Sequence, residues 1–288
     1  MALAGPALSA SALAAQLPPL VVAAERVAAT VLQGVHGRRR AGQGDAFWQF
    51  RPFLPGDAVA RIDWRQSAKS DRLFVRETEW EAAQTVALWR DGSASMQWKS
   101  SLAKVEKRAR AELLTLALAA LLLRGGERVR LLQAGPSRAH SGRAGLEPLA
   151  AELEREAGGD SLPPEDPSLP RHARAVLIGD FLSPLAEIEA RIAGFGARPV
   201  RGHILQVLDP AEESLPWLGR VRFEGLEGDG ATLVPRVEGV RALYAERLQA
   251  HREGVAAIAA AAGWRFLVHR TDQPPEAALL ALWQGLAA

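Results

Sequence analysis

Asp91-Gly92-Ser93-Ala94-Ser95 follows directly on the apolar run Thr85-Val86-Ala87-Leu88-Trp89, so a carboxylate and two hydroxyls leave the end of a predicted buried strand together. In extended backbone successive side chains alternate sides, which sets Asp91, Ser93 and Ser95 on one side and Gly92 and Ala94 on the other. Three hard oxygens so placed suit magnesium, or manganese. Magnesium keeps several waters and leaves a position for an acidic side chain brought by a protein partner. Aspartate and serine also satisfy the free N–H groups at a helix start, so capping is the competing reading. A second apolar run, Ala175 to Ile178, ends in Gly179-Asp180. Ligand sites of open α/β sheets gather at the carboxyl ends of strands, which makes Asp180 a further metal candidate, acting through water.

The elements that must position these residues are legible as alternating patterns. Helical spacing predicts helices over residues 20–33, 101–124, 146–157, 185–193, 240–262 and 276–286. Strand-like runs at 129–132, 175–178, 203–208 and 265–268 lie between them, with a loop after Asp209-Pro210 and a hairpin at 220–235 around glycine-rich residues 225–230. This alternation predicts an α/β fold with a mostly parallel central sheet and helices on both faces. Residues 1–36 read as an N-terminal tail and helix and residues 37–80 as a small irregular β-rich appendage. The α/β domain then runs over 81–288. Leu54-Pro55-Gly56-Asp57 predicts a tight turn in the appendage, since proline presets the second position and glycine supplies positive φ at the third.

Composition excludes several classes. The 288 residues contain no cysteine, so disulfides, thiolate catalysis and sulfur-ligated zinc are ruled out. Lys and Arg total 35 against 33 Asp and Glu, a balance that names no partner. Residues 1–16 lack the positive start of a signal peptide, and Leu113 to Leu123 is about half the roughly 20 residues of a membrane span, so a cytoplasmic protein is expected.

The strand running into Asp-x-Ser-x-Ser, with the βα units after it, resembles the von Willebrand factor A fold and its metal-ion-dependent adhesion site. Upstream, Arg51, Phe53, Pro55-Gly56-Asp57, Arg61-Ile62-Asp63-Trp64, Ser67-Ala68-Lys69 and Leu73-Phe74-Val75-Arg76-Glu77 resemble the signature of a bacterial family, domain of unknown function fifty-eight. Members of that family resemble partners of MoxR-type AAA+ ATPases. The resemblance implies a non-enzymatic, metal-dependent binding or adaptor protein in a chaperone-like or assembly system. In related A domains a loop threonine and a later aspartate complete the metal site, and by resemblance these fall at Gly158-Gly159-Asp160-Ser161 and at Asp180. No threonine stands in the first stretch, which leaves Asp160, Ser161 or water in its place.

Rival chemistries have weaker support. Gly159-Asp160-Ser161-Leu162 spells a serine-hydrolase motif, but no histidine has an aspartate three positions before it. The chain has no phosphate-cradling Gly-x-x-x-x-Gly-Lys-Ser/Thr loop, so ATP turnover belongs to a partner. The arginines at 38–40, 51, 61, 65, 72 and 76 could face nucleic acid, yet Asp45, Asp57, Asp63 and Asp71 interrupt them. Trp98, just past the metal loop, is a candidate partner anchor or a packing residue. Trp48, Trp64, Trp80 and Trp89 read as core.

Overall fold

The computed structural model describes residues 19–35, 47–54, 62–70, 72–78 and 84–286, apart from positions 134, 136, 157, 197 and 229. Two compact units emerge, one of residues 1–35 with 84–288 and one of residues 36–83. In chain order the elements begin with α1 (Pro19–Val35), which belongs to the larger unit.

The smaller unit holds β1 (Phe47–Pro52), the one-turn α2 (Trp64–Ser67) and β2 (Phe74–Thr78), with β1 and β2 antiparallel. Asp63 caps α2, its Oδ1 accepting from Gln66 N at 2.8 Å. The Ser67 hydroxyl donates to Asp63 O at 2.7 Å and accepts from Phe74 N at 2.9 Å, tying the turn to β2. Asp63 and Ser67 therefore do structural work. Trp64 departs from the expected core role, because it sits in the first turn of α2 and is 62% exposed. The Pro55-Gly56 turn, Trp80 and the arginines at 38–40 and 61 lie outside the described residues.

The larger unit continues with β3 (Thr85–Arg90), α3 (Lys107–Arg124), β4 (Arg128–Leu131), α4 (Leu146–Arg155), β5 (Arg174–Gly179), α5 (Leu185–Gly196) and β6 (Arg201–Leu208). Then come α6 (Pro210–Ser214), the hairpin strands β7 (Val221–Glu224) and β8 (Ala231–Val234), α7 (Val237–Ala261), β9 (Arg265–Arg270) and α8 (Pro275–Leu286). Five strands form one parallel sheet in the order β4-β3-β5-β6-β9. Numbered by their own succession that order is 2-1-3-4-5, so the chain reverses its direction of travel between β3 and β5 and opens a crevice at their carboxyl ends. The parallel sheet with helices on both faces is the α/β architecture that the sequence led us to expect.

Inner parallel strands are apolar on both faces because both are covered. Val86 and Leu88 join one core with α1, α3, α4 and α8. Ala87 and Trp89 join the other with α5 and α7. Helix α3 is buried nearly all round, from Leu114 to Leu123, where spacing alone indicated a single stripe. The reason is α1, whose Val21, Ala24, Ala28 and Val31 join the same core and pack on the outer side of α3. A helix apolar on every side is stable in water only when a second layer covers it.

Two boundaries differ from expectation. Helix α3 starts at Lys107 rather than near Ser101, because Ser100 is held in the loop by Asp209, its N donating to Oδ2 at 2.9 Å and its Oγ to Oδ1 at 2.6 Å. The expected loop after Asp209 is the helix α6, with Pro210 at its start and a capping box between Asp209 and Glu212.

His203 on β6 is buried against Gly285 of α8, and among the described residues neither ring nitrogen has a hydrogen-bond partner. Burial, with Arg265 and Arg174 nearby, pushes its pKa down to about 4. A histidine held below its unfolded value near 6.5 contributes stability that is full above that pH and is lost as the pH falls towards 4. His203→Leu is expected to remove on the order of 3 kcal/mol of acid destabilisation across this window. Urea midpoints of wild type and variant at neutral and acid pH measure the difference, and parallel pH dependence in the two proteins would rule the imidazole out as its source.

Candidate functional site

Strand pairing brings the ends of β3 and β5 together, with Asp91 N donating to Ile178 O at 2.8 Å. Asp91 is fully buried, and Gly179 makes room for it. A Cβ at position 179 would stand 2.8 Å from Asp91 Cβ and 2.9 Å from its Oδ2. Gly92 serves a similar need, since a Cβ there would meet the Arg90 Nη1 at 2.8 Å and the backbone of Gly158 at 3.0 Å. Arg90 is itself buried, donating to the carbonyls of Glu156 at 2.9 Å and Leu153 at 3.3 Å, and so ties the end of α4 to the end of β3.

From Asp91 an unbroken chain of oxygens crosses the crevice. Asp91 Oδ1 accepts from Ser93 N at 2.9 Å and from Ser93 Oγ at 2.6 Å. Ser93 Oγ and Ser95 Oγ are 3.1 Å apart, and Ser95 Oγ donates to Asp180 Oδ2 at 2.6 Å. The short 3-10 turn Ala94–Met96 that follows has no side-chain cap from Ser93, which sets the pentapeptide apart from an ordinary helix start. Among the described residues Asp91 Oδ2 is buried without a hydrogen-bond partner. Burial and the neighbouring Asp180 charge push the Asp91 pKa up to about 6, against the opposing hydrogen bonds from Ser93.

Sequence reasoning missed the cation on the other side of Asp180. Lys107 Nζ donates to Asp180 Oδ2 at 3.0 Å and to Glu212 Oε1 at 2.6 Å, with the lysine 1% exposed. Burial disfavours its ammonium, but the Asp180 and Glu212 charges outweigh burial and raise its pKa. Buried Gln206 fixes the same loop, its Nε2 donating to Asp180 O at 2.8 Å. A signal for Glu212 and Asp209 was available, since Asp209-Pro210-Ala211-Glu212 is a capping box at the end of an apolar strand. No signal marked Lys107, because a lysine in a first helical turn reads as solvent-facing.

Residues proposed for the missing threonine part company. Asp160 is exposed and lines a cleft of about 410 Å³ with Arg90, Gly92 and Arg155. Ser161 lines a larger cleft of about 850 Å³ that also contains Ser95 and Asp180, and its Oγ accepts from Ser183 Oγ at 3.1 Å. Trp98 lines that larger cleft, its ring 6.5 Å from Trp217. Trp89 packs in the core, 5.9 Å from Phe181.

The residues present fit a hard divalent cation. Asp91, Asp180 and Glu212 bring three carboxylates against one ammonium, and one buried carboxylate oxygen has no partner. Among the described residues no group of three His, Cys, Asp or Glu side chains could hold a metal, so any ion here would rely on the serine hydroxyls and water as well as the two aspartates. Asp91, Ser93 and Ser95, with Asp180, are the side chains that would hold it. Neutralising the surplus charge and exposing an unfilled coordination position is the chemistry such an ion supplies.

The chain is 29% identical to uncharacterized proteins of Mycobacterium tuberculosis and Mycobacterium bovis over 276 residues, covering 91% of this chain and 86% of each relative. Among solved structures it is similar to an aerotolerance-related membrane protein from Bacteroides fragilis carrying multiple mutations to serines, at 15% identity and a TM-score of 0.43 over 71% of this chain and 99% of that one. It is also similar to the conserved hypothetical protein BatB from Bacteroides thetaiotaomicron, at 12% identity and a TM-score of 0.37 over 71% and 99% of the respective chains. Among the described residues no helix is long and apolar enough to cross a membrane. The model of the family described as protein of unknown function DUF58 matches residues 49–254, most of the chain, and the protein belongs to that family.

Proposed function

We propose that this chain is a non-enzymatic, metal-dependent protein-binding or adaptor protein. Asp91, Ser93, Ser95 and Asp180 hold magnesium or manganese, and an acidic side chain of a partner completes the shell. The observation that carries this reading is the continuous oxygen chain from Asp91 to Asp180 at the sheet's switch point, which starts at a carboxylate whose other, buried oxygen has no hydrogen-bond partner among the described residues. Ser161, which shares the cleft with Ser95 and Asp180, suits the place of the loop threonine better than Asp160.

The partner most in keeping with the family resemblance is a MoxR-type AAA+ ATPase, and the setting is the cytoplasm. A hydrolase built on Ser161 has less support, since among the described residues no histidine lines the cleft and the cation nearby, Lys107, is held charged. The test is capture of a MoxR-type ATPase on immobilised protein in magnesium and in chelator. Capture in magnesium that chelator reverses is the expected result. Equal capture in both would remove the metal from the account.

A further inference from the structure

The 850 Å³ cleft extends well beyond the oxygen chain, and its far wall is the β7–β8 hairpin. Its volume lies within the usual range for ligand sites. Three aromatic rings run along it. Trp98 and Trp217 are 6.5 Å apart at an interplanar angle of 49°, and Trp217 meets Phe223 of β7 at 5.6 Å and 80°. Tilted and edge-on rings of this kind make the walls of a corner rather than a closed stack. All three stay partly exposed, so their faces are not used up by core packing.

The charge around this corner is one-sided. Glu187, Glu224 and Glu227 line the cleft together with Asp180 and Glu212, against one arginine, Arg222. Arg222 is engaged by Glu224 at 3.1 Å, and Lys107 already balances one charge of the Asp180–Glu212 pair. Glu187 and Glu227 have no ion-pair partner among the described residues. A guanidinium stacks on an indole face while its edge donates to carboxylates, and it loses less hydration on entering such a corner than an ammonium does.

We infer that this cleft binds an extended segment of a partner protein in which arginine side chains flank an apolar residue, the arginines seated between the Trp98–Trp217–Phe223 corner and the carboxylates of Glu187 and Glu227. The inference deepens the adhesion proposed above, and rests on it in one respect, that the same segment carries the acidic side chain towards Ser95 and Asp180. Recognition by the corner itself needs no metal.

Fluorescence anisotropy with labelled peptides of equal length and leucine content tests it, one rich in arginine, one in lysine and one in glutamate. The arginine peptide binds at least about tenfold more tightly than the glutamate peptide, and more tightly than the lysine peptide. The double variant Glu187→Gln, Glu227→Gln, which alters only exposed side chains, weakens it about tenfold. Trp217→Leu abolishes the preference for arginine over lysine, with circular dichroism confirming the fold. Equal affinity for the arginine and glutamate peptides, or no change in the double variant, overturns the inference. Chelator and Asp91→Ala separate the two ideas. Arginine-peptide binding that survives both, beside magnesium-independent ATPase capture, keeps the cleft and removes the metal adhesion. Chelator-sensitive capture without arginine preference does the reverse.

Discussion

Asp91→Ala is expected to lower magnesium affinity, and capture in magnesium, by about 100-fold or more, while leaving the fold intact. The expectation comes from the position of the carboxylate. Asp91 is at once the start of the oxygen chain and the owner of a buried oxygen without a hydrogen bond among the described residues. A water in its place would carry no charge to hold the ion, and the close packing of Gly179 and of Gly92 against Gly158 leaves no neighbouring side chain to take over.

Stability moves the other way. With burial and the Asp180 charge raising the Asp91 pKa from 3.8 to about 6, the folded state holds that proton more tightly than the unfolded chain does. In chelator the Asp91 contribution is therefore most favourable below about pH 4 and is lost as the pH rises through about 6, by on the order of 3 kcal/mol. The alanine variant lacks this penalty, and at neutral pH without metal it unfolds at equal or higher urea concentration. His203 has the opposite slope in an overlapping window, so the comparison must be between wild type and variant at each pH. Calorimetric titration of magnesium into both proteins gives the binding half of the result. Undiminished heat from Asp91→Ala would exclude it as a ligand.

Lys107→Met has the largest expected effect on stability. It replaces an ammonium that is 1% exposed by an apolar chain of similar length, leaving Asp180 and Glu212 facing each other without their counter-ion. Breaking a buried pair by removing one partner costs about 3–5 kcal/mol, because the remaining charge keeps its desolvation penalty and loses its compensation. Acid restores part of the loss, since burial already holds the Glu212 carboxyl above its usual range and its protonation removes a charge. Magnesium restores part as well if it binds beside Asp180, so urea denaturation of Lys107→Met with and without magnesium reads the metal site independently of any partner. A variant as stable as wild type in chelator would show that the carboxylates do not depend on the lysine. The two substitutions together separate ion binding from folding, since Asp91→Ala removes the first and spares the second.

What the sequence by itself determined was local and periodic. Thr85 to Trp89 reads as a buried strand, and alternation predicts Asp91, Ser93 and Ser95 on one side of it. In the structure the three oxygens do meet, but Ser95 reaches its place through the 3-10 turn Ala94–Met96 rather than by continued alternation. Gly179-Asp180 at the end of a second apolar run carried the same information, and so did the hairpin around residues 225–230. The capping box at Asp209 is also present in the sequence, yet the segment reads there as a loop, and the helix α6 is a correction that the ordinary rule for helix starts explains.

Only the tertiary structure decided which distant groups meet. Lys107 lies 73 residues before Asp180 and 105 before Glu212, and nothing in a lone lysine reports that a second loop will enclose it. Asp160 and Ser161 are adjacent in sequence yet face different clefts, because Gly158 and Gly159 lie against Gly92 and set the path of the chain beyond them. Full burial of α3 came from α1, an element far upstream whose stripe showed that it packs but not on what. Periodicity records which face of an element avoids water. The partner on that face, and the charges that must then be balanced, are set by non-local packing, which one chain read in order does not contain.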